Sequence, residues 1–219
     1  MNQKPYSNRK WLRLAVHLLS WLPLVILIWL ALSDGLGFNP IETALRWTGR
    51  LAVIWLLLSL TCTPLNKIFK LPRIGRLRKP LGLYAAMYAA LHFAAFAIWD
   101  YGLQIDAIWS EILNKPFILL GLAALVILGI LAATSFQYWR RKLGKKWTWL
   151  HRLVYAAAVL VIAHYLLAVK GDLFSLQGNY LPPLIAGGVL VLLFLLRITP
   201  INRFLEQSFR KKSNPINDA

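Results

Sequence analysis

Six stretches of about twenty apolar residues, roughly 12–33, 45–63, 81–99, 116–135, 148–169 and 181–198, decide what this chain can fold into. At 1.5 Å of rise per residue, a helix of that length crosses the roughly 30 Å hydrocarbon layer of a bilayer. Hydrophobic residues make up 58% of the 219, and the mean hydropathy is +0.57. A soluble core of this size could not hide so much apolar surface. The expectation is an all-α integral membrane protein, a single six-transmembrane-helix bundle over residues 1–219. Lys4, Arg9 and Lys10 precede the first stretch as in a signal peptide. Its apolar run is too long for one and no small-x-small cleavage site follows before Asp34, so an uncleaved anchor is expected.

The net charge of +17 would suggest nucleic acid in a soluble protein, but its distribution argues for topology. With the N-terminus inside, one side collects Lys4, Arg9, Lys10 and Arg13, the clusters 67–79 and 140–152, and Arg197, Arg203, Arg210, Lys211 and Lys212. That is 21 of the 25 basic residues. The other side has Arg46, Arg50, Lys115 and Lys170 with six of the eight acids, among them Asp34, Glu42, Asp100, Asp106, Glu111 and Asp172. The positive-inside rule then puts both termini in the cytoplasm. The basic loops read as orientation signals and contacts to membrane lipids, with no nucleic acid as partner. Cys62 is the single cysteine and can form no internal disulfide.

The connections are too short to fold as separate domains, so any chemistry must lie within the helices or come from a partner. Asn39, Pro40 and Glu42 have the order of a helix start, which sets Arg46 and Arg50 four apart on one face. Pro64 is expected to end the second helix, while Pro80, Pro116, Pro182 and Pro183 sit in first turns. No internal repeat is visible. Gly121, Gly129, Gly187 and Gly188 read as close-packing positions, and most of the ten Trp as interfacial belts.

All four histidines, His17, His92, His151 and His164, fall within the apolar segments, and no carboxylate lies deep in any of them. Intramembrane ionisable groups are costly and mark function. Without carboxylates, imidazoles point to metal or haem ligation rather than a proton relay. His92 lies seven residues before the outer end of its segment and His164 five before its own, so their depths match within about 3 Å. Two imidazoles at one depth on different helices can clamp a haem iron from opposite faces. Alanines around them (Ala89, Ala90, Ala94, Ala95, Ala156, Ala157, Ala158, Ala163) leave room for a flat macrocycle or let helices approach closely. His151 lies 13 residues before His164, about 20 Å along an ideal helix and roughly 140° away in phase. Its expected partner positions hold Arg78 and Lys79 instead of histidine. His17 is at a compatible depth, as a substitute ligand or as a hydrogen-bonded structural histidine, the preferred reading. Arg46 and Arg50 outside and Arg152 inside are candidates for haem propionates, or they snorkel to lipid. Tyr84, Tyr88, Tyr155 and Tyr165 line such a pocket or simply pack.

"RKPLGLYAAMYAALHF" (78–93) and "WTWLHRLVYAAAVLVIAHY" (147–165) resemble the paired signatures of the ferric-reductase-like transmembrane family, six-helix haem b proteins. Length, six segments, the Thr63–Pro64 pair and the Trp-x-x-Leu-His-Arg-Leu-x-Tyr run at 147–155 bring the chain near the haem-binding membrane subunits of bacterial periplasmic methionine-sulfoxide reductase systems. The resemblance implies that His92, His151 and His164 are the haem-associated, iron-ligating histidines, with one haem b or two. It also implies bound FMN, a place in the bacterial inner membrane, and electrons from the quinone pool or a cytosolic flavin reductase. The implied acceptor is a periplasmic molybdopterin-containing methionine-sulfoxide reductase that repairs oxidised proteins, leaving this chain no complete substrate site of its own. The alternatives are a stand-alone ferric or cupric reductase, and a transporter or assembly factor whose histidines are structural.

Overall fold

The structure, a computed structural model, describes residues 8–169 and 178–197. Of the charge pattern, Lys4, Lys170, Asp172, Arg203, Arg210, Lys211 and Lys212 lie outside the described residues, as does residue 198. The described chain is helical: α1 (Asn8–Leu32), α2 (Pro40–Phe69), α3 (Pro72–Gly75), α4 (Arg78–Ala94), a π-helical extension (Ala95–Asp100), α5 (Ile105–Asn114), α6 (Pro116–Ala133), α7 (Gln137–Leu143), α8 (Lys145–Leu150), α9 (Leu153–Leu167) and α10 (Leu181–Leu195). Five helical stretches are long and apolar enough to span a membrane: Trp11–Leu32, Pro40–Phe69, Pro72–Asp100, Pro116–Ala133 and Lys145–Leu167. The sixth expected span corresponds to α10, whose 15 residues reach only about 22 Å.

Helix α2 starts as the sequence dictates. Asn39 Oδ1 accepts from the Glu42 amide at 3.1 Å, and Pro40 occupies the first position, where no N–H is needed. The expectation that α2 ends at Pro64 is wrong, because the helix continues to Phe69 with Pro64 buried inside it. A proline removes the N–H that would bind the carbonyl four residues back, here that of Leu60. Arg197, just past α10, donates its Nη2 to that carbonyl at 2.6 Å, and its guanidinium lies 4.6 Å from the Tyr155 ring centre. The lost bond is thus replaced from another helix.

Two helix pairs carry the bundle: α2 lies along α4, and α6 along α9. Trp55, Leu56 and Leu60 of α2, Ala85 and Tyr88 of α4, Leu128 of α6, and Ala157, Ala158 and Ile162 of α9 form the buried core, closed by Leu190 and Leu193 of α10. Ala85 and Ala157 are fully buried, so the backbones approach closely at these points. Helix α1 packs least, and a hydrogen bond helps dock it. Tyr88 Oη donates to the Ser20 carbonyl at 2.5 Å, while Ser20 Oγ turns back to the Val16 carbonyl at 2.6 Å.

Two local features differ from the sequence reading. α5 was not anticipated; it buries Ile108 and Ile112 against Ala97 and leaves Ile105, Trp109 and Leu113 exposed, the two stripes of an amphipathic helix. The basic stretch 137–150 forms two short helices joined at Gly144, whose φ of +49° suits glycine. Trp55 belongs to the core rather than to an interfacial belt.

Candidate functional site

His92 and His164 come from different helix pairs and meet across the bundle, with ring centres 6.1 Å apart and planes at 79°. Each ring is fixed from behind in the same way. His92 Nδ1 donates to the Leu45 carbonyl of α2 at 2.9 Å, and His164 Nδ1 donates to the Phe117 carbonyl of α6 at 2.7 Å. Nδ1 therefore carries the proton, and Nε2 keeps its lone pair. No hydrogen-bond partner of either Nε2 is found among the described residues.

Glycine makes this anchoring possible. A Cβ on Gly49 would lie 3.1 Å from His92 Nδ1, and one on Gly121 only 2.8 Å from His164 Nδ1. Each glycine sits one helical turn after the accepting carbonyl. In both cases that carbonyl lies 47 residues before its histidine, so Leu45–Gly49–His92 recurs as Phe117–Gly121–His164 at an offset of 72. An internal repeat therefore exists where none was read from the sequence. Few side chains coincide, among them Leu56 with Leu128, Leu81 with Leu153 and Ala85 with Ala157.

The pair fits an iron-centred macrocycle. Two metal–imidazole bonds of about 2 Å and two ring radii of about 1.2 Å would set the ring centres about 6.4 Å apart, close to the 6.1 Å found. An Nδ1–H donated to a carbonyl is the usual support of a ligating histidine. Tyr165, next in the chain to His164, has a buried hydroxyl without a partner. Thr48 Oγ1 stands 3.5 Å from His92 Nδ1 while bonding the Ala44 carbonyl at 2.7 Å. Among the alanines, Ala95, Ala157 and Ala158 are buried in packing, Ala89, Ala94 and Ala163 are half-buried, and Ala90 and Ala156 face outward.

His151 belongs to a second site. Its backbone (φ −70°, ψ −7°) and that of Arg152 (φ −72°, ψ −20°) are wound more tightly than an α-helix and break α8 from α9. The ideal-helix phase of 140° between His151 and His164 therefore does not apply. The His151 ring stacks on Trp147 with centres 4.0 Å apart, Trp147 Nε1 donates to the Thr134 carbonyl at 2.8 Å, and His151 Nε2 is buried without a partner. Beside it opens a cavity of about 620 Å³ lined by Arg76, Arg78, Lys79, Arg140 and Arg152, with Trp147, Tyr155, Ser59 and Gly82. Among the described residues, no carboxylate lines it. Such a cavity suits a flat ring bearing an anionic group.

The other candidates separate. Arg46 is held by Glu42 at 2.6 Å on its own helix, whereas Arg50 is exposed one turn further along. Arg152 is exposed at the inner cavity. His17 does not line the cavity at His151; its Nδ1 is 2.7 Å from Tyr84 Oη. Of the close-packing glycines, Gly121 meets His164 and Gly187 touches Ile162, but Gly129 and Gly188 have open space where a side chain would begin. Gly49 was missed, although its 43-residue spacing to His92 is the spacing of Gly121 to His164. No cluster of three metal-ligating side chains exists among the described residues.

Comparison with known proteins gives the family. Residues 48–162 match the family described as ferric reductase like transmembrane component. The chain is 40% identical over 177 residues to the protein-methionine-sulfoxide reductase heme-binding subunit MsrQ of Bordetella pertussis, covering 81% of this chain and 84% of that one. The same figures hold for the proteins of that name from Bordetella parapertussis and Bordetella bronchiseptica. With the matched segment enclosing both glycines, His92 and His151, this chain belongs to the ferric-reductase-like transmembrane family and, within it, to the MsrQ proteins.

Proposed function

We propose that this protein is a haem b electron-transfer subunit of the bacterial inner membrane, with six spans and both termini in the cytoplasm. The observation that carries the reading is the His92–His164 pair, at ligating separation with both Nδ1 atoms anchored to backbone carbonyls. Haem, when bound, supplies a one-electron carrier, and two imidazole ligands leave no open position for oxygen chemistry. The chain's own part is to hold that iron through the two Nε2 atoms and to keep the rings from turning. Among the described residues, Arg50 is a cation with no ion-pair partner and is the candidate for an outer propionate, while Arg46 shares its charge with Glu42.

The inner cavity is the place for FMN. Five cations suit its phosphate, the flat Trp147 and Tyr155 flank a ring system, and His151 Nε2 offers an unused hydrogen-bonding nitrogen. With no second histidine across that cavity, one haem per chain is the reading. Electrons enter from quinol or a cytosolic flavin reductase, and they leave for a periplasmic molybdopterin-containing methionine-sulfoxide reductase. The names of the Bordetella relatives support a protein-methionine-sulfoxide reductase as the partner system.

The test is the visible spectrum of dithionite-reduced protein, with haem quantified per chain, for the wild type and three alanine variants. The wild type should show a haem α-band. His92→Ala and His164→Ala should lose all haem, and His151→Ala should keep part of it. Full haem in the His164 variant would overturn the ligand assignment.

A further inference from the structure

His17 is the histidine this scheme leaves unused, and its setting is unusual. It lies on α1 about 9 Å further along the helix than Trp11, yet it is exposed on the surface of an apolar membrane-length helix. A polar ring facing hydrocarbon is costly unless something there pairs with it. Its Nδ1 is taken by Tyr84 Oη at 2.7 Å, and Tyr84 is buried. No partner for its Nε2 is found among the described residues.

Aromatic rings surround the pair. Trp21, half exposed and one turn along α1, lies edge-on to Tyr84 at 6.4 Å, and Trp55 lies 6.1 Å from the same ring. Trp55 Nε1 is buried without a partner, a second unused polar group against Tyr84. Tyr84 is eight residues before His92 on α4, about 12 Å along the axis.

We infer that His17 and Tyr84, with Trp21, form a membrane-accessible site for the ring of a quinol. The ligand would arrive through lipid, because His17 is exposed on a helix long and apolar enough to span the bilayer. It must also carry a hydrogen-bonding group at hydrocarbon depth, where phospholipid headgroups do not reach. A hydroxylated aromatic ring on an isoprenoid tail meets both conditions. His17 Nε2 would bond the ring hydroxyl while the buried Tyr84 holds the imidazole in register. This rests on the electron-transfer reading and selects quinol as a donor in it.

The experiment uses the purified full-length, haem-loaded protein and the fluorescent quinol analogue 2-heptyl-4-hydroxyquinoline N-oxide, whose emission is quenched on binding. His17→Asn keeps an atom at the Nδ1 position for Tyr84 but has none at Nε2, whereas His17→Gln keeps one at Nε2. Saturable quenching is expected in the wild type. His17→Asn should weaken it about tenfold or more, the loss of one well-placed hydrogen bond, and His17→Gln by no more than about threefold. Wild-type affinity in His17→Asn, or no quenching in a wild type that contains haem, would overturn the inference and leave the haem assignment standing. A wild type without haem would instead sink the electron-transfer reading.

Discussion

Gly121 offers the most exacting test of how His92 and His164 are held. An alanine there would put Cβ 2.8 Å from His164 Nδ1 and 2.9 Å from Cε1. Ordinary contact begins near 3.4 Å, so the ring must withdraw from α6 by about 0.6 Å. Its bond to the Phe117 carbonyl, 2.7 Å long, would stretch to about 3.3 Å, beyond the useful N–H···O range. Losing most of that bond and displacing a ligand beyond about 0.5 Å should cost about 1–2 kcal/mol of cofactor affinity, a five- to thirtyfold loss. At Gly49 the corresponding Cβ contact is 3.1 Å, which asks for about 0.3 Å and a loss of about two- to threefold. Gly129 is the control, because its Cβ would meet nothing within 4 Å. There alanine should only stabilise the helix, by about 0.5–1 kcal/mol. The assay is the rate at which haem leaves each purified variant for apomyoglobin, with helix content followed by circular dichroism. Equal haem retention in Gly121→Ala and the wild type, or equal loss in Gly121→Ala and Gly129→Ala, would refute the anchoring argument.

Two further predictions concern the frame. Arg197→Met leaves the buried Leu60 carbonyl, already deprived by Pro64, without a donor and should lower stability by about 1–3 kcal/mol. Adding Pro64→Ala returns an N–H to that carbonyl and should recover at least half of the loss, read as thermal unfolding in detergent; no recovery would show that Arg197 acts through Tyr155 alone. Tyr88→Phe removes the bond that holds α1 at the Ser20 carbonyl and should cost about 1 kcal/mol, with faster proteolysis of α1 and an unchanged haem spectrum.

The histidines were legible because a titratable group inside an apolar run needs a reason to be there, and equal depth is simple arithmetic. Five of the six expected spans could be read from length alone. What escaped depends on residues distant in the chain. Pro64 looks like a helix end until Arg197, 137 residues beyond the Leu60 carbonyl, supplies the missing donor. His151 looked out of phase because the winding changes at Arg152, within a run that reads as one helix. Gly49 is one small residue among many, and only the position of His92 gives it meaning. The repeat was hidden because a duplicated backbone arrangement needs very few matching side chains.

The two carbonyl anchors have a consequence for how the molecule is made. Neither histidine is braced by its own helix: His92 needs α2, and His164 needs α6. The paired nitrogens therefore exist as a binding site only after four helices, the last of them α9, have been threaded into the bilayer and have closed on one another. On the proposed ligand assignment, cofactor capture is a late event in biogenesis, and a filled site would certify that the greater part of the bundle has assembled correctly.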